Sequence, residues 1–146
     1  MPGWVSAGVE DYARRLGTPW KLEIRELPAA SRRDAGGDGA ASMRDEARRI
    51  LPLLQAGEVI VPLDERGEQW STLELARWLG LQRDEARDVS FIIGGADGLD
   101  PEVLGRGQRR WSLSRLTLPH ALVRILLIEQ LYRAASVLAG HPYHRA

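Results

Sequence analysis

The residues of this 146-residue chain that could do chemistry gather near its end. Gly94 and Gly95 follow a short apolar run, and glycines after a strand let a ligand approach the backbone closely. The run from His141 to Arg145 (HPYHR) adds two imidazoles, a phenol and a guanidinium. The glycines could wrap backbone around a small ligand, and the last run would place titratable and cationic groups beside it.

Two apolar runs in the last third each have two interpretations. The run IIGGADG at 92–98 is neither G-x-G-x-x-G nor G-x-x-x-x-G-K-[ST], so dinucleotide and nucleoside triphosphate sites lack support. It predicts either a ligand cradle or a plain tight turn. The run LSRLTL at 113–118 could hydrogen-bond an adenine edge through its backbone, with leucines over the ring. Its composition alone favours an ordinary strand.

The three histidines raise the question of a metal site. His141 and His144 have feasible ligand spacing, but His120 lies a long helix away and no carboxylate accompanies the pair. We therefore predict no metal. The chain has no cysteine and no G-x-S-x-G, which disfavours nucleophilic hydrolysis as well.

Charge is balanced over the whole chain but divided unevenly along it. Residues 103–146 hold seven arginines against Glu129 alone, a net charge of +6, so residues 1–102 carry −6. This asymmetry predicts an anionic partner for the C-terminal part, or neutralisation across an internal or subunit interface. No apolar run approaches the roughly 18 residues of a membrane span, and no signal peptide opens the chain. We expect a cytoplasmic protein without membrane contact.

Periodicity and capping signals predict a single α/β domain over 1–146 with a mostly parallel sheet flanked by helices. Predicted helices lie at 3–16, from 42 (shortened or kinked by Pro52), after the capping-box run 71–74, from 100, and at 119–138. Predicted strands lie at 21–27, 58–63 (with Pro62 near its end) and 89–93. The Gly-rich run 31–41 predicts a surface loop.

The last predicted helix is apolar nearly all round. Such a helix must be buried on two sides. In a small protein another subunit can cover the second side, so we expect a symmetric homodimer. Glu129 and Arg133 lie four residues apart on it. They form either a simple helical ion pair or an interface pair that holds Arg133 toward a ligand.

Taken in order, IIGGADGL, LSRLTLPH and HPYHR are specific. With the opening MPGWV they resemble the RlmH (YbeA) family of bacterial ribosomal RNA methyltransferases, over nearly the whole chain and most strongly from residue 88. The resemblance implies a SPOUT-type fold whose C-terminal segment is threaded into a trefoil knot, and a homodimer that holds S-adenosylmethionine there. It also implies methyl transfer to N3 of a pseudouridine in 23S rRNA of the assembled 70S ribosome.

The resemblance also implies which residues form the site. The implied cofactor-binding residues are Leu63, Gly94, Gly95, Leu113, Ser114, Arg115, Leu116, Thr117 and Leu118. The implied catalytic residues, near the target base, are Arg133, Tyr143, His144 and Arg145. We expect His144 to take the N3 proton, because imidazole titrates near neutrality. Stacking of Tyr143 on a base and phosphate binding by Arg145 are equally physical roles.

One departure from the family concerns the start of the chain. The family opens with a strand before its equivalent of MPGWV, and that strand is absent here. A truncated sequence, a start codon assigned too late and a genuinely shorter chain are all open. A shorter chain would leave a sheet edge without its partner. In that case the alternative function is a non-catalytic homologue that binds RNA or the ribosome.

Overall fold

The computed structural model describes residues 2–17, 20–28, 39–95 and 97–145. These ranges contain five α-helices and three strands, with one 3₁₀ turn (Leu51–Leu53) after the second helix. In chain order the elements are α1 (Gly3–Leu16), α2 (Gly39–Ile50), β1 (Val59–Gln69), α3 (Thr72–Asp84), β2 (Val89–Ile92), α4 (Pro101–Gly105), β3 (Trp111–Ser112) and α5 (His120–Leu138). The prediction of an α/β architecture is confirmed.

The sheet is parallel, with strand order β2-β1-β3. β1 was predicted to end at Leu63, but it continues to Gln69, because its second half pairs with β3 after a shift of register. Pro62 therefore lies inside the strand and not near its end. The missing N–H of Pro62 interrupts no hydrogen bond between β1 and β2. N–H groups two residues apart on a strand point to the same side, and the Ile60 N–H donates to Gln108 Oε1 at 2.8 Å, on the side of β1 away from β2.

Helices cover both faces of the sheet. On one face, β1 and β3 pack against α3 and α5 through a buried cluster of Val59, Val61, Leu75, Ala76, Leu79, Trp111, Leu127 and Ala134. On the other, β1 and β2 pack against α2 and α4 through Ala47, Ile50, Ile60, Ile92, Leu99 and Val103. Such coverage on both faces is typical of parallel sheets.

The last helix is buried on two sides within one chain. α3 covers one side, and α1 covers the other through Val5 and Val9, which contact the cluster around Ile128 and Ala135. The expectation that a second subunit supplies the other side is therefore wrong for this part of the helix, because α1 fills it. Leu122 and Leu126, four residues apart, stay 39% exposed each. The homodimer remains a prediction.

Capping signals in the sequence correctly located most helix ends. Ser71 Oγ accepts from the Glu74 N–H at 3.1 Å, and Asp100 Oδ1 accepts from the Glu102 N–H at 2.9 Å. Gly17 and Gly140 end α1 and α5 with φ of 71° and 72°, which glycine adopts without strain. Pro52 ends α2 in a 3₁₀ turn, as expected.

Two predictions of local structure fail. Residues 20–28 form no strand, and the side chains of Leu22 and Ile24 are 39% and 53% exposed. An alternating sequence forms a strand only where a neighbouring strand can pair with it, and none of the described strands runs beside this segment. α2 begins at Gly39 and not at Ser42, since the alanines that follow favour a helix. The rest of the predicted loop, 31–38, lies outside the described residues. In the described ranges, no helix is long and apolar enough to cross a membrane.

Candidate functional site

The glycine turn after β2 is closed by its own backbone. Gly95 and Gly98 form an antiparallel bridge, and the Gly98 N–H donates to the Gly95 carbonyl at 3.1 Å. A Cβ on Gly94 would lie 2.8 Å from the carbonyl carbon of Gly98, which is closer than Cβ atoms in proteins approach a backbone atom. Gly98 itself has a φ of 84°. Gly94 and Gly98 are thus required by the turn before any ligand is considered.

The space beside Gly95 is filled by a carboxylate from α2. A Cβ on Gly95 would lie 3.0 Å from each carboxylate oxygen of Glu46. Burial raises the pKa of Glu46, and the neighbouring carboxylates of Asp97 and Asp45 raise it further. No sequence pattern distinguishes Glu46 from the other charged residues of its helix. The contact exists only because the fold brings α2 to the turn.

The run 113–118 is an irregular loop with local hydrogen bonds, and the strand interpretation of this run is wrong because β3 ends at Ser112. Ser112 Oγ donates to the Ser114 carbonyl at 2.8 Å, and the Leu116 N–H donates to Ser114 Oγ at 3.0 Å. Thr117 Oγ1 donates to Glu65 Oε2 of β1 at 3.3 Å. Leu116 is 71% exposed. The loop therefore presents a large apolar side chain to solvent.

Three of the predicted cofactor residues, Leu63, Gly94 and Leu113, lie at one region of the sheet. Leu63 lies next to Pro62, which pairs with Ile92, and Gly94 follows Ile92 by two residues. Leu63 also pairs with Trp111 of β3, and Leu113 packs against the same cluster. Carboxyl ends of parallel strands share one edge of a sheet, which is where ligands bind in such folds. Two surface clefts, of about 270 and about 510 Å³, lie elsewhere and are lined by none of these residues.

Two of the predicted catalytic residues, Arg133 and Tyr143, contact one carboxylate, that of Glu129. Its Oε1 accepts from Arg133 Nε at 2.9 Å, from Arg133 Nη2 at 2.6 Å and from the Tyr143 hydroxyl at 3.1 Å. Its Oε2 accepts from Gln130 Nε2 at 2.8 Å. The hydrogen bond to Glu129 raises the pKa of Arg133, which stays fully charged. The Glu129–Arg133 pair is a helical ion pair that also fixes the end of the chain.

Tyr143 is held between a cation and a second aromatic ring. The Arg133 guanidinium lies 4.7 Å from the centre of the Tyr143 ring, and the Tyr132 ring packs edge-on at 4.5 Å. Burial raises the pKa of Tyr143 from 10.0 to about 12, with hydrogen bonds to Tyr12 and Glu129 adding to the shift. Tyr143 is therefore a neutral hydrogen-bond donor at physiological pH.

The hydrogen bonding of His144 fixes its tautomer. Arg133 Nη1 lies 3.2 Å from His144 Nδ1, and because a guanidinium only donates, Nδ1 must accept. The ring proton of the neutral imidazole is then on Nε2, which is buried and has no hydrogen-bond partner among the described residues. In this arrangement His144 offers an N–H and not a lone pair. Arg145 follows it and is exposed.

Within one chain, the predicted cofactor-binding residues and the predicted catalytic residues do not form a single site. The loop 113–118 precedes α5, whereas the tail contacts Glu129 and Arg133, roughly 14–20 Å farther along that helix. His120 and His141 are both exposed. The described part of the chain contains no cluster of three histidine, aspartate or glutamate side chains that could hold a metal ion.

A protein-family model described as predicted SPOUT methyltransferase matches residues 1–144. Because the match covers nearly the whole sequence, the chain belongs to the SPOUT methyltransferase family.

Known relatives agree with this assignment. The chain is 51% identical to the ribosomal RNA large subunit methyltransferase H of Alkalilimnicola ehrlichii, over 100% of this chain and 93% of the relative. It is 50% identical to the protein of that name from Pseudomonas putida, over 99% and 93%. The Burkholderia multivorans protein is 48% identical over 100% and 93%. The resemblance read from the sequence motifs is confirmed.

Proposed function

We propose that this protein transfers a methyl group from S-adenosylmethionine to N3 of a pseudouridine in 23S rRNA of the assembled 70S ribosome. The observation that carries the proposal is the similarity, over almost the full length of both chains, to proteins named for methylating large-subunit ribosomal RNA. The net charge of +6 on residues 103–146 supports an RNA partner for the C-terminal part. An assembled ribosome as substrate would place the protein in the cytoplasm.

The chemistry of the cofactor edge fits S-adenosylmethionine. Leu63, Gly94, Gly95 and the loop 113–118 would hold it, with C-terminal threading into a knot bringing the loop against the turn. The loop backbone lies outside the strand ladder, and its leucines can cover an adenine face. When bound, the cofactor supplies a methyl group on a sulfonium that is already reactive. The protein therefore mainly has to position donor and acceptor.

On the acceptor side, the chain's own residues must bind the base and allow the N3 proton to leave. Arg145 is exposed and can contact phosphate, and Arg133 is held in place by Glu129. His144 can take the proton only if its contact with Arg133 opens, because Arg133 occupies the free lone pair.

The separation of loop and tail along α5 supports a homodimer. We propose that the tail of one protomer lies beside the cofactor loop of its partner, which would complete the site. The exposed Leu122 and Leu126 give α5 an apolar face for such an interface. A monomer in solution with full activity would contradict this part of the proposal.

The test combines cofactor binding with methylation of three RNA substrates. Calorimetry should detect S-adenosylmethionine binding, and tritium from labelled cofactor should enter 70S ribosomes but not isolated 23S rRNA or 50S subunits. A protein that binds no S-adenosylmethionine and labels none of the three contradicts the proposal. In the same assay, His144→Ala should lose methylation most strongly near neutral pH. Full methylation by this variant at every pH would remove His144 as the base.

A further inference from the structure

Gln130 links the start of α3 to the carboxylate that contacts Arg133 and Tyr143. Thr72 Oγ1 donates to Gln130 Oε1 at 2.7 Å, and Gln130 Nε2 donates to Glu129 Oε2 at 2.8 Å. An ionised carboxylate only accepts, so Nε2 must face Glu129 and Oε1 must face the Thr72 hydroxyl. All three side chains of this link are half-buried. The orientation of the Gln130 amide is therefore fixed at both ends.

Thr72 gives Gln130 an anchor outside its own helix. Consecutive side chains on an α-helix point about 100° apart and do not normally face each other. Gln130 nevertheless reaches Glu129, the preceding residue, while its oxygen is held by Thr72, the first residue of α3. α3 is itself fixed against α5, because Leu75 is fully buried in the cluster that contains Ala134. The contact between Gln130 and Glu129 therefore depends on the packing of two helices.

The hydrogen bond at Oε2 decides how the Glu129 carboxylate is shared. An arginine beside a free carboxylate commonly pairs as a fork, with two nitrogens on two oxygens. Here Arg133 Nε and Nη2 lie 2.9 and 2.6 Å from the same oxygen, Oε1, which also accepts from the Tyr143 hydroxyl at 3.1 Å. Arg133 Nη1 then lies 3.2 Å from His144 Nδ1. Without Gln130 the carboxylate is free to turn, and Arg133 can take both oxygens and move away from His144.

We propose that Gln130, anchored by Thr72, is a positioning residue for methyl transfer: its hydrogen bond to Oε2 orients Glu129 so that Arg133 and His144 are held for the target base. This inference rests on the proposed function. Loss of the bond leaves the ion pair between Glu129 and Arg133 in place but changes its geometry. A small misplacement of groups beside the reacting atoms slows the chemical step. The rate of methyl transfer should therefore fall without a matching loss of cofactor affinity.

The experiment measures ribosome methylation at saturating cofactor, and cofactor binding by calorimetry. Gln130→Met keeps the length of the side chain without its amide and should lower kcat about tenfold, with the Kd for S-adenosylmethionine within about twofold of the parent. Thr72→Val should lower kcat about threefold, whereas Thr72→Ser keeps the donor and should stay within about twofold. Gln82→Met, which changes a half-buried glutamine late in α3, is the control and should leave both values unchanged. Parental kcat in Gln130→Met, or equal losses in Thr72→Ser and Thr72→Val, overturns the proposal.

Nitrogen NMR spectra of the His144 ring separate this inference from the proposed function. At alkaline pH, where imidazole is neutral, the parent protein should show the His144 proton fixed on Nε2, because Arg133 occupies Nδ1. In Gln130→Met the two tautomers should average, since Arg133 moves away, and in Thr72→Ser the tautomer should stay fixed. If the parent protein methylates no ribosomes, the proposed function fails. An unchanged His144 spectrum in Gln130→Met would overturn the positioning role independently.

Discussion

The two groups of predicted site residues are built in opposite ways. Around the tail, Glu129 receives three hydrogen bonds from Arg133 and Tyr143, and Arg133 also contacts His144, so most polar atoms already have partners inside the chain. The loop 113–118 instead forms a few local hydrogen bonds and leaves Leu116 71% exposed. The tail is pre-assembled by the chain, whereas the loop leaves a large apolar side chain open to solvent.

The difference separates stability from binding. The side chains of Glu129 and Arg133 are 14% and 27% exposed, so their loss should cost folding free energy as well as activity. The loop is exposed, so a change there should cost cofactor affinity with little effect on unfolding.

The largest effect is expected for Glu129→Ala. This change removes all the bonds to Arg133 and Tyr143 and leaves a half-buried guanidinium without its carboxylate. We expect a loss of about 2 kcal/mol in the free energy of unfolding and a fall in methylation of at least about tenfold, because Arg133 and the tail lose their fixed positions. Urea unfolding and the ribosome-labelling assay measure the two effects.

An exposed ion pair provides the control. Glu68 contacts Arg109 at 3.4 Å, and the two side chains are 56% and 45% exposed. Glu68→Ala should therefore cost at most about 1 kcal/mol. Equal destabilisation by Glu129→Ala and Glu68→Ala would show that the tail cluster is no more than a surface ion pair.

A smaller effect of the opposite kind is expected for Ser114→Ala. Ser114 Oγ shapes the loop by accepting the Leu116 N–H, and without it the loop backbone should sample more conformations. We expect the Kd for S-adenosylmethionine to rise severalfold, and the free energy of unfolding to change by less than about 0.5 kcal/mol. Calorimetry and urea unfolding give the two values.

Ser71→Ala is the matched control, because it removes a serine that also accepts a backbone N–H, but at the start of α3. It should cost about 1 kcal/mol of stability and leave cofactor affinity unchanged. If both serine variants weaken cofactor binding equally, the loop has no special role.

Local signals in the sequence were sufficient for the helices but not for the sheet. The caps at Ser71 and Asp100 and the glycine at Gly140 act through neighbouring residues, so the ends of α3, α4 and α5 could be read directly. The length of β1 depends on its pairing with β3, which lies more than forty residues later in the chain. The strand predicted at 21–27 does not form, because an alternating pattern does not specify a partner strand. Pairing between distant residues is not encoded locally.

The same division applies to the site. Glu129 and Arg133 lie four apart on one helix, so their ion pair was predictable from spacing. The contacts of Tyr143 and His144 with them depend on the chain reversing at Gly140, and the Glu46 contact depends on α2 reaching the turn across β2. Motifs predicted the candidate residues, whereas the contacts between them depend on the fold.

The last effect is expected for Tyr143→Phe, and its signature appears in alkali. Folding raises the pKa of Tyr143 from 10.0 to about 12. A raised pKa in the folded state means that the contribution of the neutral phenol to stability is complete below pH 10 and is lost as pH rises from 10 to 12.

At pH 7 the Tyr143→Phe variant should lose about 1 kcal/mol in the free energy of unfolding, the value of one hydrogen bond. Between pH 10 and 12 the parent protein should lose stability more steeply than Tyr143→Phe, so the difference between them shrinks. Urea unfolding at several pH values measures this difference, and tyrosinate absorbance should show one late-titrating phenol in the parent that the variant lacks. Parallel stability curves for the two proteins over this range would mean that Tyr143 is not buried against Glu129 and that the tail is as open as the loop.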